Sequence, residues 1–304
     1  MSNFRSKVDV MSALVSVIIP TYGRSLYLER ALDSVFNQTY CNVEVLIVDD
    51  NGIGTEEQKK SSMLMLDKYR EYENLIYIPN EINRGGAVAR NIGIDNANGK
   101  YITFLDDDDE YLLDKVERQV RSVINGNLDV ALCAAYYFNS KGEKENSIAR
   151  PIGENIRDFL LGGVALTPMI MATKESLNNV GGFDETPRYQ DHILMLKLLA
   201  SGVSVGIDNT PLYKCYRHDG VRISTGEKSY HGVMYKHKIE RGVSGTLCSS
   251  DRDRLKCNQE IELLAYTPFS KLFIRSFNLL FRKNCDRLFL VKELIKIVFS
   301  LRNV

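Results

Sequence analysis

The chain of 304 residues is 44% hydrophobic and 26% charged, proportions that exclude wholesale disorder and a polytopic membrane protein. That length buries one substantial α/β core and leaves roughly 60 to 80 residues for a smaller appendage. The formal net charge of zero is an average, because residues 271–304 carry eight Lys and Arg against two acids while the rest of the chain is correspondingly acidic.

In chain order, residues 15–19 form a short β-branched run opening into Pro20, Thr21, Tyr22, Gly23 and Arg24, as a buried parallel strand entering a loop would. Leu28, Ala31, Leu32, Val35 and Phe36 then recur at helical spacing, with Ser25 available as N-cap. A second strand, 43–48, runs into Asp49 and Asp50. Residues 55–72 are expected to be helical, 75–78 a third strand, and 86–96 a helix. The strand 101–105 stops at four consecutive aspartates. A helix presenting Leu113, Val116, Val120, Val123 and Ile124 follows, and 130–137 is a further strand. Past a polar turn at 140–147 the pattern loosens, with 166–171 expected as a strand, 181–184 as a tight loop and 191–200 as a helix. From about Glu240 the chain reads as helical and increasingly basic. Strand alternating with helix predicts an α/β fold with a doubly wound, mostly parallel sheet flanked by helices.

Ligands of such sheets sit beyond the carboxyl ends of the strands. Three strands here end in polar clusters, 21–24, 49–50 and 106–109, and these are expected to converge. Asp106, Asp107, Asp108 and Asp109 repel one another, by about 1 kcal/mol per pair at about 4 Å even in water. Either the turn is solvated or something cationic sits there, and Mg²⁺ or Mn²⁺ takes one or two carboxylates and leaves its other positions to phosphate and water. A calcium loop is excluded, since its sixth position needs Gly and is Tyr111. Asn83, Arg84, Gly85 and Gly86 offer amides at a helix start, where the dipole favours an anion, with Arg90 one turn on. Neither the Walker A sequence nor G-x-G-x-x-G occurs. Six cysteines without a C-x-x-C pair signal neither zinc nor a disulfide framework, and Cys133 reads as a small core residue. Reduced thiols and a cytoplasmic location are expected.

SVIIPTYGR (16–24), VDDN (48–51), NRG through ARN (83–91), YITFLDDDD (101–109) and GGFD (181–184) together resemble the successive motifs of family 2 glycosyltransferases, over roughly residues 15–224. The resemblance implies a GT-A catalytic domain over 12–239, with a nucleotide-sugar half (12–109) and an acceptor half (110–239), followed by a helical basic extension over 240–304. It implies that Pro20, Thr21, Tyr22 and Arg24, with Asp49 or Asp50, hold the nucleotide base and ribose. Gly85 and Arg90 would face the base or diphosphate. The D-x-D element maps to Asp106, Asp107 and Asp108, with Asp108 the direct metal ligand, Asp106 a second candidate ligand, and Asp106 or Asp107 meeting the ribose or a bound water. The family's acidic pair at a helix start is Gln190 and Asp191 here, which leaves Asp191 alone as base unless it merely caps the helix. Tyr216, Arg217 and His218, followed by Ser224, resemble a loop over the diphosphate, so that Arg217 or Arg222 would neutralise the leaving group and His218 could ligate the metal.

The resemblance further implies inverting, metal-dependent transfer from a UDP-hexose, in bacterial O-antigen or capsule assembly, to a saccharide or lipid-linked saccharide. Residues 269–304 interleave Leu288, Val291, Leu294, Ile295 and Val298 with basic residues. They are expected to meet an anionic membrane on its cytoplasmic face, the competing partners being the catalytic domain or a second copy in a homodimer. A sugar-nucleotide pyrophosphorylase is the alternative enzyme, though Pro20 and Thr21 stand where its Gly-rich loop belongs, and a non-catalytic saccharide-binding relative is the third reading. No nucleic-acid partner is expected.

Overall fold

A computed structural model describes residues 12–217 and 227–301, so His218, Arg222 and Ser224 lie outside the described residues. The parallel half of the sheet is built from β1 (Val15–Thr21), β2 (Val43–Asp49), β3 (Leu75–Pro79) and β4 (Tyr101–Phe104). The remaining strands are β5 (Glu110–Tyr111), β6 (Val130–Phe138), β7 (Lys144–Ala149), β8 (Ile170–Thr173) and β9 (Val205–Tyr216). In space the order is β3-β2-β1-β4-β8-β6-β9-β5, with β7 beside β6. The first four strands are mutually parallel, β8 runs antiparallel to both β4 and β6, and β9 returns parallel to β6.

Strand alternation sorts the core to the two faces. Val17, Ile19, Val45 and Ile47 join one cluster, whereas Ile18, Leu46, Ile102 and Phe104 join the other. Helices α1 (Ser25–Phe36), α2 (Glu56–Asp67), α3 (Gly86–Asn96) and α4 (Lys115–Asn125) cover this sheet. On α3, Gly93 lets the helix lie directly on β1, for any Cβ there would collide with the Ile18 side chain. After β7 come α5 (Ile156–Gly162), α6 (Lys174–Asn179) and α7 (Gln190–Ala200).

Five local expectations are corrected. Leu113, expected on the apolar face of the fourth helix, precedes α4, which starts at Lys115, and is exposed. Ser25 is the first residue of α1 and not its cap. Arg24 holds that position without a capping bond, and the Ser25 hydroxyl donates to Glu57 Oε2 at 2.8 Å. Helix α2 is capped by Thr55 and ends at Asp67, five residues short of Tyr72. Residues 167–169 are a 3₁₀ turn, so β8 starts only at Ile170. Strands β7 and β9 were not expected at all. β9 contains Asn209, Thr210 and Pro211, a turn-like run that the sheet absorbs as a shift of register against Cys133 to Ala135.

The C-terminal helices are α8 (Glu227–Val243), α9 (Ser249–Glu262), α10 (Phe269–Leu280) and α11 (Arg287–Leu301). The division expected at 239/240 falls inside α8. Leu247 and Leu255 enter the core beside α7, and Ile261, Leu264, Leu272, Leu279 and Leu290 make a small core of their own.

Candidate active site

The carboxyl ends of β1, β2 and β4 frame a cavity of roughly 600 Å³. Its walls hold Pro20, Thr21, Tyr22, Arg24, Asp50, Gly85, Arg90, Asp106 and Asp107, which the motifs had pointed to from four separate segments. Asn83, Arg84 and Gly86, expected to offer amides to an anion, also line it, as do Gln190 and the 185–187 segment, the last of which sequence reasoning had given no role in binding. Only the turn residues next to Gly181 and Gly182 could have suggested the last of these.

Asp49 and Asp50, adjacent in sequence, diverge. Asp49 is sealed in: Oδ1 accepts from the Asn51 N–H at 3.0 Å and Oδ2 from the Tyr77 hydroxyl at 2.6 Å. Asp50 faces the cavity and builds its far wall, since Oδ1 accepts from the Arg84 N–H at 2.9 Å and Oδ2 from the Gly85 N–H at 2.7 Å. Gly85 can turn that amide inward because its φ of 86° is open to glycine at no steric cost. This is the amide-rich helix start of α3.

On the opposite wall each aspartate has its own surroundings. Asp106 is partly exposed and pairs with Arg90 Nη2 at 2.6 Å. Asp107 is buried and accepts from the Thr21 hydroxyl at 2.8 Å. Burial, reinforced by the neighbouring Asp108, pushes its carboxyl up to about 7. Asp108 is paired with Arg24, and its carbonyl accepts from Arg30. Asp109 takes the Tyr216 N–H at 2.9 Å, and burial with the charges of Asp106 and Asp108 holds it well above the carboxylate range. Burial opposes the charge on Arg24, but Asp108 and Asp107 outweigh it and hold the guanidinium above its ordinary value. Arg30 stacks on the Tyr216 ring at 3.9 Å, a partner the motifs had not revealed.

The third wall is the start of α7. Arg90 Nη1 donates to Gln190 Oε1 at 3.1 Å, so the amide in place of the expected acid links this helix to Asp106. Asp191 lies in the first turn, and the capping position belongs to Tyr189, so the capping role considered for Asp191 is not the one it has. Its Oδ1 accepts the His192 N–H at 2.7 Å. Burial raises its carboxyl, opposed by that bond and by the charge of Arg90. Arg217 stays apart, paired with Glu145 Oε2 at 3.0 Å and stacked on Tyr137. Among the described residues no group of three or more acids, histidines or cysteines is placed to hold a metal by itself. The buried Nε atoms of Arg90 and Arg30 have no hydrogen-bond partner.

Residues 16–175 match the profile of glycosyl transferase family 2. An uncharacterized glycosyltransferase of Rickettsia felis is 36% identical over 232 residues, which are 76% of this chain and 36% of the relative. A second, from Rickettsia typhi, is 30% identical over 72% of this chain and 69% of its own length. Glycosyltransferase GlyG of Streptococcus pneumoniae is 29% identical over 67% of this chain and 71% of that protein. The chain thus spans about a third of the Rickettsia felis relative and about two thirds of the others. Among solved structures, Staphylococcus aureus TarS 1–349 in complex with UDP-GlcNAc superposes with a TM-score of 0.61 over 95% of this chain and 91% of that one, at 18% identity, a likeness of GT-A fold.

Proposed function

The chain belongs to glycosyl transferase family 2, and from that membership we propose that it moves a sugar from a nucleotide-diphosphate sugar to a saccharide hydroxyl, with inversion at the anomeric carbon. The observation that carries this reading is the convergence on one cavity of the Asp50-braced amides of 84–85, the cations Arg24 and Arg90, and Gln190 at the start of α7, the residue next to Asp191. UDP is the first nucleotide to test, because TarS was solved with UDP-GlcNAc.

In this mechanism Asp191 takes the proton of the acceptor hydroxyl as that oxygen attacks the anomeric carbon, and the bond to the diphosphate breaks on the opposite side. Burial raises its carboxyl above the ordinary carboxylate value, in the direction of a stronger base. Negative charge accumulates on the departing diphosphate, where Arg24 and Arg90 can receive it once donor oxygens compete with the aspartates. Hard carboxylate oxygens fit Mg²⁺ or Mn²⁺, and Asp108 and Asp106 would hold one with the diphosphate completing its shell. Such an ion would supply further counter-charge to the leaving group.

The proposed setting is polysaccharide assembly of the O-antigen or capsule kind, at the cytoplasmic face of a membrane bearing a lipid-linked acceptor. Two features support membrane contact. Phe273, Ile274 and Phe277 on α10, Phe281 at its C-cap, and Leu288, Val291 and Ile295 on α11 are exposed apolar side chains. Lys271, Arg275, Lys283, Arg287 and Lys292 on the same segment are exposed too.

The test is a thermal-shift titration with UDP, with and without Mn²⁺, on the native protein and on Asp108→Ala. Metal-dependent stabilisation by UDP that disappears in the variant is the expected result. No response to any nucleotide would overturn the donor site.

A further inference from the structure

Charge buried outside the cavity gives the C-terminal helices a second role. Lys236, His237 and Glu240 on α8 and Gln259 on α9 are all buried. Glu240 Oε1 lies 3.1 Å from His192 Nε2 and 3.5 Å from Lys236 Nζ, and Oε2 accepts from Gln259 Nε2 at 2.7 Å. Glu262 receives Lys236 Nζ at 2.6 Å and lies 2.7 Å from His237 Nε2. On its other side the His192 ring packs against Phe159, centroids 4.8 Å apart.

That clamped histidine is also the residue whose backbone N–H donates to Asp191. Just before it, Tyr189 holds a left-handed φ of 65°, its ring 4.7 Å from both the Arg188 and the Lys236 cations. Arg188 is tied in turn to the Ser229 hydroxyl of α8 at 2.9 Å. A bulky residue in that conformation is strained and persists only where its surroundings over-determine it. Buried ion pairs add little net stability, and apolar side chains of similar volume often do better. Stability therefore explains neither feature, whereas a need for fixed geometry explains both.

We propose that Glu240 is a positioning residue for Asp191: fixed by Gln259 and Lys236, it clamps the His192 ring and so holds the 189–192 turn and the direction of the Asp191 carboxylate. The inference rests on Asp191 acting as the base. It places a determinant of the reaction beyond residues 16–175, the segment matched to the family.

The experiment measures nucleotide-diphosphate release, with water in place of the acceptor hydroxyl as the nucleophile, from a panel of UDP-, GDP- and dTDP-hexoses by the wild type, Glu240→Leu, Glu240→Gln and Asp191→Asn. Glu240→Leu keeps the volume but cannot accept the histidine, and its kcat is expected to fall by about tenfold to a hundredfold, the scale of a misplaced catalytic group. Its KM for the donor should stay close to wild type. Its melting temperature should fall because His192, Lys236 and Gln259 lose a buried acceptor, so rates are compared where the variant is still folded. Glu240→Gln, which keeps an acceptor oxygen, should recover most of the rate. A Glu240→Leu protein with wild-type kcat, or with a loss that merely tracks its unfolded fraction, overturns the proposal. If the wild type releases nothing, or Asp191→Asn is as active as wild type, the reading of Asp191 fails and the role of Glu240 falls with it, an outcome that the Asp191 variant identifies by itself.

Discussion

Two regions of the molecule bury charge on opposite terms. Around the cavity, four aspartates stand against Arg24, Arg30 and Arg90, two of the acids are pushed upward, and two arginine Nε atoms lack partners. Between α7, α8 and α9 the balance is complete. Burial disfavours the charge on Glu240, but His192 and Lys236 outweigh it and its carboxyl lies below the ordinary range, while Glu262, under the same opposition, is drawn down to about 2 by His237 and Lys236. An unbalanced cluster is improved by a ligand that rearranges its charges, whereas a balanced one is best left undisturbed. The first region is built to bind and the second to hold still.

The sharpest division between them runs through α7, whose start belongs to both. Asp191→Asn removes the proposed base and leaves the packing of the helix intact. It should lower kcat by about a hundredfold to ten-thousandfold, the usual worth of a positioned acid or base. UDP binding, followed by calorimetry on the same protein, should change little. A variant that loses binding and turnover together would assign Asp191 to the donor site.

Asp49 and Asp50 make the same comparison on a smaller scale. Asp49→Asn loses a buried acceptor for Tyr77 and should lower stability by about 1 to 3 kcal/mol in urea denaturation, with nucleotide affinity retained in the folded protein. Asp50→Asn loosens the amides of Arg84 and Gly85, so its main effect should be on affinity for UDP, weakened by about tenfold. The reverse pattern would exchange their roles.

The sequence made the first region legible far more than the second. Strands β1, β2 and β4 announce themselves as short β-branched or apolar runs, and the polar residues at their ends must meet because parallel strands point the same way. The divergence of Asp49 and Asp50 was not readable, since neighbouring acids differ there only in which side of the turn they face. Gln190 looked like a loss and proves to be the link from Arg90 to α7. The network around Glu240 had no signature, because its members lie 48 and 19 residues from their partners His192 and Gln259 and form no motif. β9 was hidden by its own Asn209, Thr210 and Pro211, which only the register of β6 makes compatible with a strand.

A third class of surface lies outside both regions, and it should break away from them cleanly. Phe273→Ser with Phe277→Ser removes apolar area from the exposed face of α10 without touching Leu272 or Leu279 in its small core. Co-sedimentation with vesicles of phosphatidylcholine and phosphatidylglycerol should drop by about tenfold or more, at roughly 0.8 kcal/mol per methylene equivalent withdrawn from the bilayer. UDP binding and melting temperature should be unchanged. Equal binding of the wild type to neutral vesicles would remove the electrostatic part of this reading, and a dimer dissociated by the double variant would assign the face to a second copy.

The smallest effect concerns Lys115, which is fully buried beneath the acidic turn. Its Nζ donates to Thr103 Oγ1 at 2.8 Å and Gln119 Oε1 at 2.7 Å, with no acid beside it, and burial lowers its amine to about 8. Because the folded value lies below the unfolded one of 10.5, the unfolded chain binds more protons between those values, and stability from this group rises as pH climbs from about 8 to 10.5. Lys115→Met should abolish that rise. Near pH 7 the two consequences of the change oppose each other: relief from burying a charge is offset by the Gln119 oxygen left without its donor, a loss of about 1 to 3 kcal/mol. Melting temperatures at pH 7 should therefore lie close together and separate only in alkali, with the wild type gaining. A difference between wild type and variant that stays constant from pH 8 to 10 would mean that the amine stays charged in the fold.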